Sequence, residues 1–518
     1  MVFDRRTFLR TGLVAGGGAA VLGSLESAAA ATPGLVRARP ALTHGVQSGD
    51  VTADGAVVWA RADRPSRMLV DVCARPDFRG ARTVRGPLLT PDTDLTGKTL
   101  LRHLPCGNEI HYRVRLADPD GRTESAPVTG RFRTPASPDA HSGRDVRFVW
   151  GGDLAGQGWG INPGFGGYKI FNAMAAADPD FFLCSGDWVY ADGALTESVP
   201  LPDGTTWHNL VTAEKSKVAE TLAEYRGQFR YNLMDGPLRA FNAQVPMIYQ
   251  WDDHEVRNNW YPGQILDDAR YTEKRVDVLA SRARRAAFEY TPISILPPKD
   301  GKIYRKISHG PLLDVFVLDM RTYKDPNGPD NAPGAKAGTL GAEQTAWLKR
   351  ELRRSTATWK VISNDLPLGL IVPDGANQEG VAQGDNGAPL GREGEFAGIL
   401  SYARRHGVTN LVFVTADVHY TAAHHYDPAK AAFTDFDPFW EFVAGPLNAG
   451  TFGPNTLDGT FGPQLKFIKT GPRAGASPAE GAQFFGEVAI DGRSGVLTVR
   501  LRDLDGAVLY SVDLQPRR

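Results

Sequence analysis

A short apolar run at residues 181–184 is followed by three residues that could do chemistry: Gly186, Asp187 and Tyr190. The run is too short for a helix and predicts a buried strand. Glycine allows a sharp turn at the strand's end, so Asp187 and Tyr190 would lie at the C-terminal edge of a sheet, where open α/β sheets bind ligands. A carboxylate and a phenol suit a hard metal ion. Equally, Asp187 could cap the next segment and Tyr190 pack in a loop, and this motif alone does not decide.

Four other predicted strands end in polar residues of the same kind. These residues are Asp153, Asp253, His254, Asn364, Asp417 and His419. If the strands form two stacked sheets, their C-terminal ends meet, and the carboxylates would resist ionisation unless cations were bound. Oxygen ligands with one or two histidines favour hard ions such as Fe(III), Mn(II), Mg(II) or Ca(II). Cys184 lies within the apolar run and is predicted to be a core residue.

The elements that would position these residues alternate between strand and helix from Asp145 onwards, which predicts an α/β domain over residues 145–518. Predicted strands cover residues 146–150, 181–184, 245–250, 313–318, 359–363 and 410–415, with a closing hairpin at 484–490 and 496–504. Predicted helices cover residues 168–177, 214–233, 270–290, 342–354 and 394–405.

Residues 40–135 contain several short alternating strands separated by turns, which predicts a small immunoglobulin-like β-sandwich. A Pro/Ser/Gly-rich linker follows at residues 135–143. Three cysteines among 518 residues exclude a disulfide scaffold. Cys73 and Cys106 could pair in an exported protein, and the sequence leaves this open.

Residues 1–31 are predicted to be a twin-arginine export signal. Arg5 and Arg6 precede a weakly apolar Gly/Ala-rich run, and small residues at 28–31 resemble a cleavage site. No other segment is apolar enough to span a bilayer. The formal net charge of −1 gives no sign of a polyanionic partner such as nucleic acid. We therefore expect a secreted or extracytoplasmic protein that uses the twin-arginine export machinery.

The order of the motifs carries a family resemblance. Asp153, Gly186-Asp187-x-x-Tyr190, Asp253-His254-Glu255 and Asp417-x-His419 follow one another, and the stretches 251–259 and 416–419 are especially characteristic. In these motifs the chain resembles the PhoD-type alkaline phosphatase and phosphodiesterase family of the metallophosphoesterase superfamily, which includes iron-dependent phospholipases D. The resemblance extends over nearly the whole chain.

The resemblance implies an αββα sandwich with one Fe(III) and calcium nearby. By position, the iron ligands would be Asp153, Asp187, Tyr190 and His419. Asp187 would bridge to a second metal beside Asp253, Asn364 and Asp417, with Asn258 a weaker candidate. The chain departs from the family pattern in carrying Asp153 where the best-known members have cysteine. It also has Asp252 where glycine is usual, and carboxylates at Asp253 and Asp417 where amide or imidazole groups are usual, so the second ligand set stays open.

The function implied is hydrolysis of a phosphoric ester, with hydroxide held by the metals attacking phosphorus. His254 would protonate the leaving alkoxide or hold a phosphoryl oxygen; alternatively it orients Asp253. Arg321 and Arg226 could clamp phosphoryl oxygens, although Arg226 could equally lie on a solvated helix face. His208 and the pair His424-His425 are expected to lie in solvent, outside the site.

Three alternatives remain open on sequence alone. They are a phospholipase D acting on phosphatidylcholine-type lipids, a non-catalytic extracellular binding protein, and a metal-dependent hydrolase of amides or sugars. The loops 325–338 and 374–391, rich in Gly, Asn and Pro, are expected to line or gate the site.

Overall fold

A computed structural model describes residues 39–140, 144–294, 301–328 and 337–517. The predicted export signal at residues 1–31 lies outside the described residues. From Arg39 onwards the chain forms one compact unit.

Strands make up most of the regular structure, and they are numbered here in chain order. They are β1 Leu42–Gly49, β2 Gly55–Ala62, β3 Ser66–Cys73, β4 Arg82–Leu89, β5 Thr96–Arg102, β6 Glu109–Ala117, β7 Val128–Arg133, β8 Val146–Gly151, β9 Phe181–Cys184, β10 Ser198–Pro200, β11 Thr206–His208, β12 Met247–Ile248, β13 Arg305–His309, β14 Leu313–Val317, β15 Trp359–Ser363, β16 Pro373–Asp374, β17 Asn377–Gln378, β18 Leu411–Thr415, β19 Thr421–Tyr426, β20 Phe439–Val443, β21 Pro463–Lys469, β22 Phe484–Ile490, β23 Leu497–Asp503 and β24 Val508–Leu514.

The helices are α1 Ile170–Ala176, α2 Leu222–Asn232, α3 Gly236–Asn242, α4 Val276–Tyr290, α5 Gly341–Arg354 and α6 Arg392–Arg405. Two of them, α2 and α4, begin at least six residues later than the sequence pattern predicts. α2 begins after Thr221, whose side chain accepts a hydrogen bond from the Glu224 backbone while Glu224 bonds back, a capping box that sets the N-terminus. α4 begins after Arg275, which has extended backbone and forms a bridge with Ile265.

Two large sheets form the centre of the molecule. One has nine strands in the order β24-β23-β22-β8-β9-β12-β1-β2-β5, and the other has seven in the order β13-β14-β15-β18-β20-β19-β21. Buried side chains from both sheets share one core, including Phe148, Leu183 and Ile248 from the first and Val315 and Val412 from the second. The two sheets therefore stack face to face.

Helices cover the outer face of each sheet. α1 to α4 pack on the nine-stranded sheet through a core that includes Phe171, Phe182 and Leu279. α5 and α6 pack on the seven-stranded sheet through residues such as Leu348 and Phe413. This confirms the predicted αββα sandwich. Cys184 is fully buried within the first of these cores, as predicted.

The N-terminal region is all-β, as predicted, and it is joined to the large sheet. A four-stranded sheet, β4-β3-β6-β7, packs through a core including Val58, Val70 and Val114 against β1, β2 and β5, which continue the nine-stranded sheet. The connection is a parallel pairing of β1 with β12, Gly49 opposite Met247. Cys73 and Cys106 are not bonded to each other.

The central strands run parallel, so their C-terminal ends share one edge. β8, β9 and β12 are mutually parallel neighbours in one sheet, and β14, β15, β18 and β20 are parallel in the other. All the predicted ligands follow the ends of these strands. Among the described residues, no helix has the length and apolar character needed to cross a membrane.

Candidate metal centre

The turns that follow β8, β9 and β18 place site residues in left-handed backbone conformations. The φ angles are 65° for Asp153, 50° for Asp187, 65° for Asp417 and 55° for His419. Such conformations are rare outside glycine and concentrate at functional sites. Gly186 has φ 96°, and a Cβ on it would lie 2.4 Å from the Asp252 Cβ, so glycine is required where the two strand ends meet.

A first group of ligands surrounds one point. Ligand atoms of Asp153, Asp187 and His419 all lie within 4.8 Å of one another. The Tyr190 hydroxyl is 2.8 Å from His419 Nε2, which is 3.7 Å from Asp153 Oδ1. His419 Nδ1 donates to the Gly450 carbonyl, leaving Nε2 with its lone pair. Burial lowers the pKa of His419 to about 3, so the ring is neutral and able to bind a metal.

A second group shares Asp187 with the first. Ligand atoms of Asp187, Asp253 and His254 also lie within 4.8 Å of one another. Asn364, which follows β15, is buried, and Asp417, which follows β18, is half-buried. Burial and the carboxylates of Asp252 and Asp253 raise the pKa of Asp417 well above its usual range.

The unpaired atoms in this region fit hard cations. Acceptors that have no hydrogen-bond partner among the described residues include both carboxylate oxygens of Asp153, Asp252 Oδ2, Asp253 Oδ1, Asn364 Oδ1 and Asp417 Oδ2. Buried polar atoms normally have partners, since leaving them unpaired is costly. Burial and neighbouring carboxylates also raise the pKa of Asp153 and of Asp187 well above the usual range. Cations in the site would remove both penalties.

His254 is held in a defined orientation beside this cluster. Its Nδ1 is 2.7 Å from Asp192 Oδ1, and its ring stacks on Tyr190 with centroids 4.1 Å apart. Its Nε2 is 4.0 Å from Asp253 Oδ1. Burial alone would lower the pKa of His254, but the carboxylates of Asp192 and Asp253 raise it to about 9. Asp192 was not among the predicted site residues. Its position two residues after Tyr190 is the feature of the sequence that could have indicated its role.

The prediction that Arg321 clamps substrate is not supported, because its guanidinium is fully buried and two of its three nitrogens donate to carboxylates; Nη2 has no hydrogen-bond partner among the described residues. Its Nε donates to Asp252 Oδ1 at 2.5 Å, and its Nη1 donates to Glu379, which also accepts from Lys324. Its Nη2 lies 3.8 Å from Asp253 Oδ2. Arg321 therefore neutralises the carboxylates behind the cluster. Asp252, Lys324 and Glu379 are the partners that sequence analysis missed.

The prediction that Arg226 clamps phosphoryl oxygens is also not supported. It donates to both oxygens of Glu289, at 2.6 and 2.9 Å, and to the Asp92 carbonyl at 2.6 Å. These partners belong to α4 and to the N-terminal β region, so Arg226 joins those elements and is not brought to the cluster.

The other polar residues considered in the sequence differ in how far their side chains are exposed to solvent. Asn258 is exposed, and its backbone N–H donates to Asp192 Oδ2 at 2.8 Å. His208 is exposed, as expected. His424 is buried, which corrects the expectation that it lies in solvent, whereas its neighbour His425 is half-buried.

Parts of both Gly-rich loops touch the site. Asn259 donates its backbone N–H to Asp253 Oδ2 at 2.5 Å and its side-chain amide to Asp374 Oδ1 at 3.0 Å. Asn327 donates to the other oxygen of Asp374 at 2.9 Å. Loop residues thus support Asp253 through Asn259.

Comparisons with known proteins agree with this geometry. Residues 148–501 match the family model for the PhoD-like phosphatase, and residues 27–136 match the model for its N-terminal domain. Alkaline phosphatase D of Bacillus subtilis is 30% identical over 303 residues, covering 56% of this chain and 49% of that relative, so the match spans about half of its length.

Solved structures show the same fold. A structure of PhoD matches with a TM-score of 0.68 and 20% identity, covering 91% of this chain and 88% of that one. Purple acid phosphatase PPD1 from yellow lupin seeds matches with a TM-score of 0.55 and 13% identity, covering 92% and 74%. With residues 148–501 and residues 27–136 both matched by family models, the chain belongs to the PhoD-like phosphatase family.

Proposed function

We propose that this protein is a secreted, metal-dependent phosphoric-ester hydrolase with alkaline phosphatase or phosphodiesterase activity. The observation that carries the proposal is the cluster at the edge of the stacked sheets, where acceptors of Asp153, Asp253, Asn364 and Asp417 have no hydrogen-bond partner in the described part of the chain. Loss of a strand-end ligand would favour a non-catalytic binding protein, and none of the predicted ligands is lost. The names of the relatives, alkaline phosphatase D and purple acid phosphatase, support the same reaction class.

We propose Fe(III) and Ca(II) as the resident metals. Asp153, Asp187, Tyr190 and His419 would hold the iron, since a phenolate and carboxylates are hard ligands. Asp253, Asn364 and Asp417 would hold calcium, with Asp187 between the two ions. When bound, such cations neutralise the ester's charge and lower the pKa of an attacking water.

The protein's own groups would then position the ester and move a proton. His254 Nε2 faces the cluster, and Asp192 fixes the ring through Nδ1 at 2.7 Å. His254 would donate a proton to the oxygen of the leaving alcohol. Arg321 would hold Asp252 and Asp253 in place through its ion pairs with them.

The test is a substrate panel combined with metal analysis. Purified mature protein should hydrolyse nitrophenyl phosphate or bis-nitrophenyl phosphate and contain iron and calcium, with a visible absorption band from the Tyr190 phenolate. Asp187→Asn should lose metal, colour and activity, because a neutral amide cannot balance two cations. Asp203→Asn, at an exposed turn, is the matched control and should change none of them. Turnover of phosphatidylcholine alone would identify a phospholipase D, and no turnover with metal bound would contradict the proposal.

We also propose export by the twin-arginine pathway. The support is the Arg5-Arg6 pair before the Gly/Ala-rich run. Changing both residues to lysine should leave unprocessed precursor inside the cell, measured by fractionation and immunoblotting. Normal secretion of that variant would rule the pathway out.

A further inference from the structure

Phe452 is an aromatic side chain that is partly exposed beside the metal centre. Its side chain is 41% exposed, and its ring lies with its centroid 4.7 Å from that of His419. The Nε2 of the same His419 ring is 2.8 Å from the Tyr190 hydroxyl. Phe452 thus packs directly on a predicted ligand of the cluster.

The backbone holds Phe452 in this exposed position. Its N–H donates to the His419 carbonyl at 3.3 Å. The next residue, Gly453, has φ 78°, and a Cβ there would lie 2.3 Å from the Tyr420 ring, so the chain is pressed against Tyr420. On the other side, Thr451 Oγ1 donates to the Arg473 carbonyl at 2.7 Å. An aromatic ring on so fixed a segment is preorganised for contact, which lowers the entropy lost on binding.

The burial of the cluster indicates which part of a phosphate ester could contact the Phe452 ring. The carboxylates of Asp153 and Asp187 are buried, so only the phosphoryl group of an ester needs to enter. The organic group attached to phosphorus must remain on the solvent side, where Phe452 is exposed. Aromatic faces bind apolar and aromatic groups through burial and stacking.

We propose that Phe452 is a platform for the organic group of the ester, so that the site prefers phosphate esters with an apolar or aromatic substituent over small polar ones. Phe452 is then a specificity-determining residue. The inference rests on the proposed hydrolase function and defines the substrate class of that same site.

The experiment compares 2-phenylethyl phosphate with ethyl phosphate, two alkyl esters whose leaving alcohols are similar. Phe452→Ala should lower kcat/KM for the phenylethyl ester by about 3- to 10-fold, mostly through KM, as expected for one lost aromatic contact. It should change kcat/KM for ethyl phosphate less than about twofold. Phe452→Tyr should retain the preference. Leu465→Ala, at another exposed apolar side chain on β21, is the control and should leave both values unchanged.

The possible results separate the two proposals. Equal losses on both esters, accompanied by loss of iron, would mean that Phe452 only shields His419 and would overturn the platform. An unchanged ratio with full metal content would overturn it as well, while leaving the hydrolase function standing. Hydrolysis of neither ester by the unaltered protein would refute the hydrolase function, and the platform with it.

Discussion

The two ring nitrogens of His254 face different surroundings, which defines what the residue can do. Nδ1 is bonded to Asp192 at 2.7 Å, so this nitrogen is committed to orientation. Nε2 is turned towards the cluster, 4.0 Å from Asp253 Oδ1. With a carboxylate holding one side, the ring can carry a proton on the other and deliver it to a leaving oxygen.

Replacing His254 should therefore separate catalysis from metal binding. His254→Ala should retain iron and calcium, and its kcat on an alkyl phosphate should fall by about 10²–10⁴, the usual effect of losing a general acid. The loss on nitrophenyl phosphate should be smaller, because nitrophenolate leaves without a proton whereas an alkoxide needs one. The measurement is kcat on both esters together with elemental analysis.

A second variant tests the same prediction through the partner of His254. Asp192→Asn keeps a partner at Nδ1 but removes the charge, so it should show the same difference between the two esters at a smaller scale. Equal losses on both esters for His254→Ala would leave His254 as an orienting group only. Loss of either metal would place it among the ligands instead.

Single residues could be predicted as metal ligands where the sequence shows that they follow the end of a strand. Asp153 and Asp187 each follow an apolar run, and the end of a parallel strand places such a residue at the common edge. The role of Arg321 could not be predicted in this way. Its partner Glu379 lies 58 residues away along the chain, and no local pattern indicates that the two meet.

The bounds of strands and helices could be predicted where the apolar residues recur with a strong period. They could be predicted less well where tertiary packing determines the structure. β8, β15 and α5 lie close to the predicted ranges, because their apolar patterns match the periods of a strand or a helix. β19 was not predicted, and consequently His424 was expected in solvent. Adjacent residues of a strand face opposite sides, so His424 is buried within the sheet while His425 is partly exposed.

The contacts of the loops next to the site could not be predicted from sequence patterns either. Their Gly, Asn and Pro content predicts irregular backbone, and it does not specify which residues make contact. Asp374 on β16 and Asn327 in the neighbouring loop meet at 2.9 Å and support Asn259, which bonds Asp253. The loop between β17 and α6 also supplies Glu379 to Arg321. Part of the metal centre's support therefore comes from segments without a sequence period.

At the scale of the whole molecule, the N-terminal β region and the α/β region share the nine-stranded sheet. Sequence patterns predicted an all-β region and an α/β region with a linker between them. They could not indicate that β1 pairs with β12, because strand pairing between distant segments has no local signal. A buried ion pair also crosses between the regions: Arg305 on β13 donates to Asp50 after β1, with Nη2 and Oδ1 2.7 Å apart.

Breaking this pair should destabilise the whole molecule. Arg305→Met removes the guanidinium that donates to both oxygens of the buried Asp50 carboxylate, which should cost about 3–5 kcal/mol. It also removes donors from the Tyr249 and Ile303 carbonyls. Asp50→Asn combined with Arg305→Met should lose less, because the buried negative charge is removed together with the positive one. The control Arg350→Met removes an exposed pair with Glu351 and should cost less than about 1 kcal/mol. The urea midpoint of the metal-loaded protein measures all three; a midpoint for Arg305→Met equal to the control's would show that the buried pair does not hold the two regions together.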